Sequence, residues 1–131
     1  MSRPARALIR LPGRFAICRF DSDASLPVWA MHAEAAIWSV TRTPHELSVV
    51  CDEDALPPSV ERAETGWVAF AVEGPIPFGE IGVIAGVTAP LAAAGVGVFI
   101  VSTFDTDLVL VKEAQVGDAL ASWAAGGIAV A

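Results

Sequence analysis

The sequence predicts an α+β fold of two related βαββαβ-type halves, each an antiparallel sheet with its helices on one face. Three observations carry this expectation. From Trp67 onward the hydrophobic period switches between the two-residue repeat of strands and the three-to-four-residue repeat of helices, in the order βαββαβ. Gly and Pro separate those segments. Before Glu64 the chain repeats the plan in weaker form, so the division is expected at 1–64 and 65–131.

In the first half, Leu8, Ile9 and Leu11 are followed by Pro12-Gly13 and the apolar run 15–20, which reads as strand, turn and strand. Residues 26–29 suit a single turn where a helix would otherwise sit. Residues 37–42 and 47–51 read as a hairpin across Thr43-Pro44-His45-Glu46, and Pro57-Pro58 suits the start of a short helix over 56–62. In the second half, 67–72 is a β-rich run stopped by Glu73-Gly74-Pro75-Ile76-Pro77. Ile84, Val87, Thr88 and Leu91 then mark a helix, with Glu80 in its first turn, where an acid favours the dipole, and Gly95 at its end. Pro90 inside that helix removes a hydrogen bond and predicts a kink near Gly86. Residues 96–104 and 108–111 form a hairpin with apolar residues on both faces. Residues 115–124 are helical, with Val116, Ala119, Leu120 and Trp123 on one stripe, and Gly126-Gly127 releases a last strand, 128–130. One helical layer covers one sheet face, so the other must meet a sheet, a half or a second chain.

Composition narrows the function. The chain has 131 residues, 54% hydrophobic and 18% charged, enough apolar surface for one shared core and a surplus that suits a partner. Two-fold closure makes a homodimer the expected association. The formal net charge is −7, yet Arg3, Arg6, Arg10, Arg14 and Arg19 crowd the first twenty residues, and Lys112 is the sole basic residue after Arg62. The acidic C-terminal half argues against a nucleic-acid partner. No apolar run reaches the roughly 18–20 residues that span a bilayer, and no secretory signal is recognisable, so a cytoplasmic protein without membrane association is expected. Cys18 and Cys51 sit in apolar strands, where a reduced cysteine acts as a small hydrophobe.

The stretch Pro77-Phe78-Gly79-Glu80-Ile81-Gly82-Val83-Ile84-Ala85, followed by Ser102-Thr103-Phe104-Asp105-Thr106-Asp107, resembles the ACT-domain superfamily. It is most similar to small tandem-ACT bacterial proteins related to the cytosolic arginine sensors, well over 67–131 and by pattern in the first half. The resemblance implies ferredoxin-like βαββαβ halves and a regulatory module that binds an amino acid. It implies a ligand at the start of the first helix, touched by Glu80, Ile81, Gly82, Val83, Thr103, Phe104 and Asp107. The chemistry agrees, because a helix N-terminus offers unpaired N–H groups to a carboxylate. A glycine admits close approach, and Asp107 or Glu80 accepts from an ammonium or guanidinium group. Each residue has a plainer role beside this one: Gly82 in helix packing, Asp105 and Asp107 in a turn, Phe104 in the core, Glu80 at the dipole. Many ACT domains carry an aspartate before the helix, where this chain has Gly79.

Two other functions fit the residues. One is a structural or protein-interaction module that keeps the fold without a ligand. The other is a cysteine-dependent hydrolase or transferase using Cys18 or Cys51 with His32 or His45. Apolar strands raise a thiol pKa rather than activate it, and no elbow, phosphate loop or metal-ligand spacing is present. The expectation is therefore a non-enzyme with no cofactor and no metal.

Overall fold

The computed structural model describes residues 6–131, so Arg3 of the basic start lies outside the described residues. The strands and helices are β1 (Leu8–Arg10), β2 (Phe15–Phe20), β3 (Ser39–Arg42), β4 (Leu47–Asp52), β5 (Ala63–Val72), α1 (Val83–Ala93), β6 (Phe99–Ser102), β7 (Asp107–Lys112) and α2 (Val116–Ala125). The chain forms two compact units, Met1–Leu11 with Val68–Ala131, and Pro12–Trp67. The sequence reading placed residues 1–64 in one half, whereas among the described residues 6–11 group with the second unit.

Within Pro12–Trp67, β4 lies between β3 and β2, antiparallel to both, and β2 also pairs with the first part of β5. Alternation along β2 and β4 sends Ala16, Cys18, Leu47, Val49 and Cys51 to one buried cluster. Its cover is not helical. A 3-10 turn, Val28–Ala30, buries Ala30, and Trp29 meets Phe20 edge-on at 6.3 Å. The helix expected over 56–62 is absent. Leu56, restricted by the proline after it, is extended, a turn closes from the Val60 N–H to the Pro57 carbonyl, and β5 already begins at Ala63.

In the other unit, the second part of β5 sends Val68, Phe70 and Val72 to one face, and β7 adds Val109 and Val111. Val87 and Leu91 of α1 and Val116, Ala119 and Trp123 of α2 close that core. Trp123 is fully buried, packs edge-on against Phe70 at 4.9 Å, and donates its Nε1–H to the Val87 carbonyl at 2.9 Å. Both helices end alike. Gly95, at φ +74°, donates to Ala92, and Val96 donates back to Leu91, so the last carbonyls are satisfied by a left-handed residue that glycine adopts without a Cβ clash. Gly127 and Ile128 repeat the pair on Ala124 and Trp123. Because Val96 is committed to this cap, β6 starts at Phe99, later than the periodicity implies. Pro90 falls in the last turn of α1.

The strand-turn-strand reading of the N-terminus is corrected in its pairing. β1 pairs antiparallel with β5, Leu8 opposite Val72 and Arg10 opposite Phe70, rather than with β2. On its other side it meets the C-terminal segment, with Leu8 N–H to Ala129, Arg10 N–H to Ala131 and Ala131 N–H to Leu8 bonds, each 2.8 Å. The expected last strand, 128–130, is thereby reduced to a single parallel bridge between Leu8 and Val130. Leu8, fully buried, explains the insertion: its side chain completes the core between Val72 and Ile128.

Candidate functional site

β5 ends at Val72, and the N–H of the next residue, Glu73, donates to the Ala7 carbonyl at 2.8 Å. The loop that follows is tied to the β6–β7 turn by the Ile76 N–H to the Asp105 carbonyl at 2.6 Å and by the Thr106 hydroxyl, which donates to the Val72 carbonyl. Between this loop, the start of α1 and the turn lies an open cleft of about 600 Å³. Gly82 precedes α1 in the left-handed conformation, φ +85°, and no side chain caps the helix. The first-turn N–H groups, which have no intrahelical acceptor, belong to residues that line the cleft.

Of the seven site residues that the resemblance implied, the structure brings six together: Glu80, Gly82, Val83, Thr103, Phe104 and Asp107 line the cleft. Ile81 is 88% exposed and does not line it. Glu80 lies before the helix rather than in its first turn, so the dipole role is withdrawn. Its carboxylate is instead held by Arg6, with Nη2 at 2.7 and 2.8 Å from the two oxygens and Nε at 3.2 Å. Gly82 does not serve helix packing, since a Cβ there would meet nothing within 4 Å. Its left-handed backbone is what calls for glycine. Thr103 closes the β6–β7 turn, accepting from the Thr106 N–H at 3.2 Å. Phe104 is no core residue: it is 78% exposed and packs edge-on against Phe78 at 4.9 Å. Asp107 accepts from the Ser102 hydroxyl at 2.7 Å across the hairpin.

Sequence reasoning omitted Ile76, Pro77, Phe78, Ile84, Ala85, Thr88, Ser102 and Thr106 from the lining, and Arg6 from behind it. Seven of those eight lie in or next to the stretches 77–85 and 102–107, and Thr88 follows Ile84 by one helical turn. Arg6 carried no such signal, being 74 residues from Glu80.

The cysteines lie elsewhere. Cys18 and Cys51 are buried and free, on neighbouring strands of the Pro12–Trp67 unit. Their hydrogen bond holds Cys18 below the ordinary thiol value and pushes Cys51 well above it, with burial raising both. Each thiol thus has the other as partner, and His32 stands 3.7 Å from Asp52. Labelling by a chromogenic disulfide reagent is expected to run far slower than for free cysteine until urea unfolds the chain; rapid native labelling would restore the nucleophile reading. Among the described residues no group of three or more His, Cys, Asp or Glu could hold a metal ion, and no helix is long and apolar enough to cross a membrane.

Antiparallel strands with both long helices packed on one core define an α+β module of the ferredoxin-like kind, and its cleft opens where the first of those helices begins. Comparison with known proteins agrees: an ACT domain model matches residues 62–122, and a second model, for an N-terminal domain, matches residues 13–59. Residues 62–122 belong to the ACT-domain superfamily. A solved protein from Agrobacterium tumefaciens is 36% identical at a TM-score of 0.90, over 98% of this chain and 94% of that one. The cytosolic arginine sensor for mTORC1 subunit 1 of Bos taurus is 38% identical over 88 residues, which is 58% of this chain; the match spans 26% of that relative. The regulatory subunit of aspartate kinase from Thermus thermophilus, in its ligand-free form, has a TM-score of 0.58 at 12% identity, over 93% of each chain, and shares the fold.

Proposed function

We propose that this protein is a regulatory module that binds a free amino acid in the cleft at the start of α1. The observation that carries the reading is the opening of an uncapped helix N-terminus into a cleft that also holds Asp107. The N–H groups of the first turn and the positive end of the dipole suit an α-carboxylate, and the Asp107 carboxylate suits an α-ammonium through a charge-assisted bond. Gly82 leaves the backbone open to approach, while Val83, Ile84, Phe78 and Phe104 offer apolar contact to a side chain. The relative named as a cytosolic arginine sensor supports an amino acid as ligand and the cytosol as the place of action.

Binding regulates only if the ligand prefers one association state to another. We assign that state to a homodimer in which a second copy covers the cleft mouth, where Phe78 and Phe104 are 77% and 78% exposed. The same exposed rim favours the second reading, an interaction module that binds a protein partner without a ligand.

A thermal-shift screen against all the standard amino acids and a few nucleotides, each near millimolar, separates the two. Ligand at about a hundred times its Kd adds about 2.7 kcal/mol, which a chain of this size registers as a rise of several degrees. A selective rise for one amino acid, with a change in sedimentation, is the expected result. A flat screen transfers the function to the interaction module.

A further inference from the structure

We infer that Arg6 sets the ligand class of the cleft: by occupying the Glu80 carboxylate from within the chain, it excludes a cationic side chain and restricts the site to amino acids with uncharged side chains. This rests on the amino-acid reading above and adds to it a named specificity-determining residue.

The inference starts from a charge count. Glu80 and Asp107 are the two charged residues that line the cleft. A zwitterion needs one carboxylate for its ammonium, because its own carboxylate is met by the N-terminus of α1. With both acids available, the site would hold a surplus negative charge and favour lysine or arginine, whose side chains carry a second cation. Arg6 removes that surplus. Its guanidinium approaches from outside the lining, bonds both Glu80 oxygens at 2.7 and 2.8 Å through Nη2, and adds Nε at 3.2 Å.

The guanidinium is itself anchored, donating through Nη1 to the Glu73 carbonyl at 3.2 Å, next to the bond from the Glu73 N–H to Ala7. β1 follows at Leu8 and fixes the whole segment to β5. A cation tethered so closely acts at a high effective concentration, and a free cation at cellular levels competes poorly for the same acid. The pair is also partly withdrawn from water, Glu80 being 17% and Arg6 31% exposed at the side chain, which strengthens it beyond a surface ion pair. What remains for the ligand side chain is uncharged: the apolar Ile76, Phe78, Val83, Ile84 and Phe104 beside Thr88, Ser102, Thr103 and Thr106.

The test is calorimetric titration of the full chain with L-leucine, L-methionine, L-phenylalanine, L-arginine and L-lysine. The wild type is expected to bind at least one uncharged amino acid about tenfold or more tighter than either cation. Arg6→Gln withdraws the guanidinium from Glu80 and is expected to move that ratio toward the cations by about tenfold or more, a change of about 1.4 kcal/mol. Arg6→Lys, which keeps the charge, keeps the preference, and adding Glu80→Gln to Arg6→Gln abolishes the gain for cations. A wild type that prefers a cation overturns the inference and leaves amino-acid binding standing, as does an unchanged ratio in a folded Arg6→Gln. Binding of none of the five by any variant overturns the inference, and a flat result across the full amino-acid screen sinks the underlying reading too.

Discussion

Trp123→Ala is expected to lower the unfolding free energy by about 3–5 kcal/mol, the usual cost of deleting a buried aromatic. Three losses combine at this position. The indole is fully buried between the two helices and the sheet, so its removal leaves a cavity in the centre of the larger core. Its edge-on contact with Phe70 disappears. The Val87 carbonyl loses the indole as donor, in a place where water does not replace it. Trp123→Phe separates these effects. It keeps much of the packing and loses the hydrogen bond, and is expected to cost about 1–3 kcal/mol. Urea unfolding followed by circular dichroism checks both, and a Trp123→Ala variant within about 1 kcal/mol of wild type would mean that this core is far softer than the packing implies.

Gly82→Trp is expected to abolish the stabilisation by whichever amino acid the screen selects, a loss of about 2.7 kcal/mol at a hundredfold excess over Kd, while the protein stays folded. A side chain at Gly82 has open space around it, so the core is undisturbed. The backbone term is the cost of placing an L residue in the left-handed region, about 1–2 kcal/mol. Gly82→Ala incurs that same backbone cost with a single methyl group, and is expected to retain part of the thermal shift. Comparison of the two isolates obstruction of the cleft from strain at the helix start. An unchanged shift in a folded Gly82→Trp would remove the ligand from the start of α1.

Much of the second unit was legible because its elements announce themselves locally. Val116, Ala119 and Trp123 recur at helical spacing and are buried together. Gly95 and Gly127 stand where a left-handed residue must end a helix. The hairpin register, with Ser102 opposite Asp107, follows from the short Thr-Phe-Asp-Thr turn between them. The residues singled out around 80–83 and 103–107 meet because one group begins a helix and the other closes the adjacent hairpin. That much depends on neighbours in sequence and on the ordinary geometry of the fold.

The failures have other causes. Pro57-Pro58 carries the composition of a helix start, but Leu56 is held extended before the prolines and the segment closes only a single turn from Val60 to Pro57. Phe104 has the composition of a core residue, and only the fold shows that its turn projects it onto Phe78 at the rim. Leu8 to Arg10 has the pattern of a strand and no mark of its partner. Strand pairing is chosen by which backbone edge is free and which cavity Leu8 fills, and both depend on segments 60 or more residues away. Arg6 follows from that choice: once β1 is seated beside β5, its guanidinium reaches Glu80, and a residue that spacing had treated as part of a basic start becomes the partner of an acid in the cleft. Periodicity and turn chemistry, being local, determined most of the elements, and the family resemblance named six of the residues that line the cleft. The pairing of β1, and with it the charge that Glu80 presents, was decided by the tertiary structure, because the energies that select it come from contacts between residues distant in the chain.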